Sequence, residues 1–185
     1  MGKIHSESEL RKASDHIFYE VWMMNQLAEI LEKGEKTEIT EKYDSYTTTP
    51  VTTFVESTLV TVDSFKDVHD VEISRVKNNA IVEALAIHIR SLIDFFYTTG
   101  KDDDIVAEHF FTSAIKWTSA RPPKTDDQLK KIKFRVNKEI AHLTYARLSV
   151  SSKRWPYKRI CADLNKSFSV FAKLVPKKFL GRRWK

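Results

Sequence analysis

Only four glycines and five prolines interrupt 185 residues, and that scarcity constrains the fold more than any other feature of the chain. Tight reversals need residues that tolerate special backbone angles, so a chain with so few of them is built from long elements and few turns. Long helices meet that condition better than the many short strands of a sandwich. Four Trp, six Tyr and eleven Phe within 42% hydrophobic residues are enough for one sizeable core, and the length suits a single domain over residues 1–185.

Apolar periodicity locates the helices. In the stretch that begins SESELRKASDH, Ile17, Val21, Met24, Leu27, Ile30 and Leu31 recur at threes and fours as far as Gly34, a natural stop. Ile81, Val82, Leu85, Ile89, Leu92, Ile93 and Phe96 form a second apolar face, which Gly100 closes. A third helix is expected to begin at the aspartates of 102–104, whose carboxylates suit a helix N-terminus, and to run to the break at Pro122 and Pro123. Thr125 to Gln128 has the form of a capping box and opens the fourth. Pro156 suits the first position of a last helix, with Ile160, Leu164, Phe168, Phe171 and Leu174 facing inward as far as Pro176. Residues 35–72 fit none of this. Their Thr and Val favour strands but the alternation is poor, so the segment is either irregular with a short strand pair or a helix whose propensity is overridden by packing. The expected fold is mainly α: an antiparallel bundle of four or five helices, an insertion over about 35–72 and a basic tail at 176–185.

Charge is unevenly spread. From Lys153 to Lys185 there are eleven Lys and Arg against one acid, Asp163, so this stretch carries +10 of a net +6 and the first 152 residues carry about −4. Lys153, Arg154, Trp155, Tyr157, Lys158 and Arg159, and later Lys177, Lys178, Phe179, Arg182, Arg183 and Trp184, interleave cations with aromatics. Such a segment either neutralises phosphates and stacks on unpaired bases, or is a solvated helix face followed by a frayed tail. A lone Cys161 rules out a disulfide framework and a cysteine-rich zinc site, and neither a zinc-type histidine spacing nor a glycine-rich phosphate loop occurs. No metal and no cofactor is implied. The polar start and the absence of eighteen consecutive apolar residues point to a soluble, cytoplasmic protein with no membrane association.

One constellation suggests chemistry: FRVNKEIAHLTYAR, residues 134–147. On a regular α-helix with Arg135 at zero, Leu129, Ile132, Val136, Ile140 and Leu143 fall between about 60° and 140°, Glu139 near 40° and His142 near −20°. Asn137 points near 200°, away from the other polar groups. Arg135, Glu139 and His142 thus border the core. They are either an i,i+4 ion pair beside a seam histidine, or a half-desolvated acid/base site. On the second helix Glu83, Arg90, Asp94 and Tyr97 make a polar stripe, which is either an exposed Arg90–Asp94 ion pair or a surface that backs Arg135 and His142.

An arginine, six intervening residues and a histidine, late in a small helical bundle, resemble the signature of the HEPN superfamily. NNAIVEALAIHIRSLIDFFY (78–97) and DDIVAEHFF (103–111) also resemble a bacterial group near that superfamily. The resemblance covers roughly residues 75–150 and implies a HEPN-like core over about 75–175. It implies metal-independent RNA cleavage of a toxin or defence type, with Arg135 clamping phosphate and His142 carrying the proton; from this chain's own residues, Glu139 is the group expected to orient His142. The candidate RNA contacts are Lys138, Lys153, Arg154, Lys158 and Arg159. A homodimer is implied as well, with an antitoxin or a nucleotidyltransferase as protein partner. Val136 departs from the family pattern, which has a polar residue directly after the arginine; Asn137 comes one position later. The superfamily also contains non-catalytic members, so the alternative function is a binding or interaction domain for nucleic acid, a nucleotide or a protein.

Overall fold

A computed structural model describes residues 5–34, 62–101, 103–123, 126–141, 145 and 156–184. The regular elements among them are all helical: α1 (Glu7–Gly34), α2 (Val62–Tyr97), a 3-10 turn (Ala107–Phe110), α3 (Ala114–Ala120), α4 (Asp126–Arg135), a π-helical turn (Val136–Ala141), α5 (Tyr157–Leu174) and two closing 3-10 turns, Lys177–Phe179 and Arg182–Trp184. The fold is mainly α, as the shortage of turn residues requires.

Helix α1 starts at a reciprocal cap: Glu9 N donates to Ser6 Oγ at 3.2 Å, and Ser6 N donates to Glu9 Oε2 at 2.7 Å. Its apolar stripe goes inward at Ile17, Val21, Met24, Leu27 and Leu31, whereas Ile30 stays 49% exposed. Helix α5 runs antiparallel to α1. Lys158 reaches Glu32, Asn165 exchanges amide hydrogen bonds with Asn25, and Gly181 N donates to Ser14 Oγ, so the contacts descend α1 as the chain ascends.

The buried aromatic rings gather where α2 and α5 meet the short helices. Phe171 is fully buried, with Phe95, Phe110 and Trp117 set edge-on to it at centroid separations of 5.2, 5.3 and 5.7 Å, an arrangement that places positive ring edges on negative ring faces. Two polar groups are buried beside it and both are satisfied: Ser167 Oγ lies 2.6 Å from the Tyr97 hydroxyl, and Trp117 Nε1 donates to Phe96 O at 2.9 Å.

Of the two readings of residues 35–72, the helical one holds for 62–72, the first turns of α2, which therefore begins well before the periodicity at 81–96; residues 35–61 lie outside the described residues. One expectation needs correction. The third helix is not continuous from the aspartates to the prolines. Phe111 and Ser113 are extended, and the chain breaks between the 3-10 turn and α3. The reason is aromatic: Phe111 stacks on Trp117 with ring planes 4° apart and centroids 5.9 Å apart, whereas residues six apart on one helix point about 120° from each other. Asp104 serves the turn instead of a helix cap, accepting a hydrogen bond from Lys101 N at 2.7 Å.

Candidate functional site

The helix that carries the motif is held to α2 by a charged contact. Lys133 Nζ lies 2.5 Å from Asp94 Oδ1, and Arg90 Nε approaches the other oxygen of the same carboxylate at 3.9 Å. Asp94 thus joins the polar stripe of α2 to α4, two residues before Arg135. Val136 is fully buried, on the core side expected of it. Arg135, half-buried, is the last residue of α4.

From there the backbone is π-helical through Ala141. Hydrogen bonds in a π-helix span five residues rather than four, so each residue turns the chain by less than 100° and the angles reckoned for Glu139 and His142 no longer apply. Among the described residues the Asn137 side-chain oxygen is buried with no hydrogen-bond partner, an unusual state for a carbonyl that in water would accept two bonds. The side chain of Glu139 and the whole of His142, Thr125, Lys153 and Arg154 lie outside the described residues. Lys138 is exposed.

The cationic C-terminal segment is more completely defined. Arg159, Lys166 and Lys173 recur at sevens along α5 and all three are exposed, so they share one outward stripe with about 10 Å between successive charges. Lys166 has Asp163 at 3.7 Å, and Lys158 has Glu32 at 3.4 Å. Beyond α5 the tail is not frayed. The Asp15 carboxylate accepts hydrogen bonds from Arg182 N at 3.1 Å and Arg183 N at 2.9 Å, capping the last 3-10 turn from 167 residues away. Trp184 Nε1 donates to Ser14 O at 3.0 Å, and Arg11 Nε donates to Lys178 O at 2.6 Å. Gly181 is needed for this approach, since a Cβ there would collide with the Asp15 carboxylate.

This docking corrects the expectation that the aromatics of the tail are free to stack on bases. Trp184 packs against Phe18 and Phe168 at 5.7 and 5.2 Å, and Phe179 is packed on the core. The cations between them, Lys177, Lys178, Arg182 and Arg183, remain exposed. The aromatics anchor the tail and the cations face water.

Two other places hold reactive side chains. His5, His16 and His109 line a cavity of about 210 Å³ with Leu10, Ala13 and Ile105. The rings of His5 and His109 are 4.5 Å apart, and burial, with His5 adding to it, holds His109 below its ordinary value of 6.5. Among the described residues no three ligating groups are placed to hold a metal ion. The Cys161 thiol is pushed up to about 11 by burial, which leaves it protonated and unreactive at neutral pH. Among the described residues no helix is long and apolar enough to cross a membrane.

Sequence reasoning missed one cluster on α1. Glu20 Oε2 and His88 Nδ1 of α2 are 2.7 Å apart, beside the exposed rings of Tyr19 and Trp22. The available signal was that Tyr19 and Trp22 fall off the apolar register of α1.

Set against known proteins, the chain matches no family model, no curated protein and no solved structure.

Proposed function

We propose that this protein binds RNA through the cationic stripe of α5 and the docked C-terminal turns. One observation carries the reading: Arg159, Lys173 and Lys177 are exposed and engage in no ion pair among the described residues, on a segment whose single acid is Asp163. Cations left without partners on a rigid helix and tail release counterions from a polyanion without first breaking an ion pair, and at little cost in backbone ordering. The tail supports that role because its backbone is held by Asp15 and Ser14 rather than ordered only on binding.

The reading is tested by titrating a labelled RNA at several salt concentrations with wild type and with the triple variant Arg159→Ala, Lys166→Ala, Lys173→Ala. Three lost phosphate contacts make the slope of log K against log salt shallower by about 2 for a single strand. An unchanged slope rules out this surface.

A second reading is cleavage of the bound RNA by Arg135 and His142, as the HEPN resemblance implies. The π-helical turn that follows Arg135 favours it, since such turns occur often at functional sites. In that reading Arg135 clamps a phosphate, His142 carries the proton, and Asp94 holds the supporting helix through Lys133. The homodimer and the antitoxin or nucleotidyltransferase partner belong to the same reading. Incubating RNA in the presence of a chelator decides it: products from wild type and none from Arg135→Ala or His142→Ala support cleavage, and intact RNA with all three leaves binding as the function.

A further inference from the structure

Tyr19 and Trp22 stand on the outer side of α1, 37% and 48% exposed, while Ile17, Val21 and Met24 between and around them turn into the core. An indole left in water forgoes the burial of one of the largest apolar surfaces a side chain offers. Tyr19, which stands next to the indole, meets groups from three separate elements. The two rings have centroids 6.1 Å apart and planes tilted by 36°. From α2, His88 meets Tyr19 edge-on at 6.1 Å, and its Nδ1 is fixed on Glu20 at 2.7 Å. From the C-terminal turn, the guanidinium of Arg183 lies over the Tyr19 ring, 5.7 Å from its centroid.

We propose that Trp22, backed by Tyr19 and flanked by Arg183, is a stacking platform for an unpaired RNA base, and that the ligand class of this protein is single-stranded RNA. The inference rests on the RNA-binding reading above and names its substrate. Two features select this ligand. Arg183 lies over Tyr19, the ring next to Trp22, with its own backbone pinned by Asp15, so the cationic tail brings a guanidinium to the aromatic pair that can take the phosphate of a stacked nucleotide. The bases of a duplex hide their faces in the stack, so only an unpaired one can lie flat on an indole. Trp, Tyr and Arg also anchor protein interfaces. The flank decides against that here: Arg183, over the Tyr19 ring, shares the last turn with the exposed Arg182, and this pair of cations complements a phosphate chain. His88 and Glu20 act as positioning residues that hold Tyr19 from the side.

The test is to titrate the full chain with a fluorescent single-stranded RNA, the same strand carrying abasic residues, and the corresponding duplex. Wild type, Trp22→Ala, Trp22→Phe and the α5 triple variant are compared at one salt concentration, with a thermal melt to show that each is folded. Trp22→Ala is expected to weaken binding of the single strand about tenfold, the scale of one lost base–aromatic stack. Trp22→Phe retains most of the affinity, and the abasic strand and the duplex bind wild type and Trp22→Ala alike. Equal affinity of wild type and Trp22→Ala for the single strand, with the triple variant weakened, overturns the platform and leaves the cationic surface standing. Wild type that binds none of the three RNAs overturns both. Loss of self-association in Trp22→Ala with unchanged RNA affinity makes the patch a protein interface and also overturns the proposal.

Discussion

The helix that carries Arg135 and the segment that follows Pro156 are both basic and both candidates for phosphate contact, yet they are held in place very differently. Helix α5 buries Ile160, Leu164 and Phe171 in the core, and its tail is fastened to α1 by hydrogen bonds from three consecutive backbone amides and by the Trp184 indole. Helix α4 meets α2 through Lys133 and Asp94, passes into a π-helical turn after Arg135, and leaves the Asn137 oxygen buried without a partner. The difference teaches where each kind of function belongs. A rigid, well-satisfied segment suits a binding surface, because little ordering remains to oppose association. Irregular backbone with an unsatisfied polar group is the kind of local cost that functional sites carry.

The largest expected effect on this contrast comes from Phe171, whose ring touches those of Phe95, Phe96, Phe110, Phe111, Trp117 and Trp184. Phe171→Ala should lower stability by about 3–5 kcal/mol in urea denaturation. A cost below about 1 kcal/mol would mean that the α5 side is no better packed than α4. Next comes Asp15→Ala, which removes the cap of the last turn. It should cost about 1–2 kcal/mol and expose the Arg182 and Arg183 amides to hydrogen exchange while the amides of α5 stay protected; unchanged exchange at those two amides would show that the tail is held by its aromatics alone. The smallest effect has the opposite sign. Asn137→Leu removes an unpartnered buried acceptor and should raise stability by about 1 kcal/mol in a thermal melt. A lower melting temperature in that variant would place a hydrogen bond on Asn137 and remove the asymmetry between the two segments.

Much of the fold was legible in the chain because helix formation is local. The apolar recurrences of 17–31, 81–96 and 160–174 each mark a face that is buried or packed on the core, apart from Ile30, which is exposed, and Leu174, which is only half-buried. The early start of α2 was harder to read: Val62, Phe65, Val68 and Val71 recur at threes, but they adjoin a Thr- and Val-rich stretch whose composition favours strands. The break at 111–113 was not legible, because it follows from Phe111 folding back on Trp117, a contact that spacing on one helix forbids. In the candidate site the sequence marked Arg135 and the basic segment by residue type and spacing. It did not reveal the π-helical turn, since the choice between four- and five-residue hydrogen bonding after Arg135 has no signature in apolar periodicity.

By itself the amino-acid sequence determined that this protein is helical, where its main apolar faces run and that its last fifth is cationic, because periodicity and charge act between residues a turn apart. Only the tertiary structure decided which aromatics are spent on anchoring and which face water: Trp184 lies against Phe18, while Trp22 is exposed beside Tyr19, over whose ring Arg183 lies. The physical reason is distance along the chain. Asp15 and Arg183 are 168 residues apart, and whether a side chain 168 residues away arrives to hydrogen-bond a backbone amide depends on how the whole core closes.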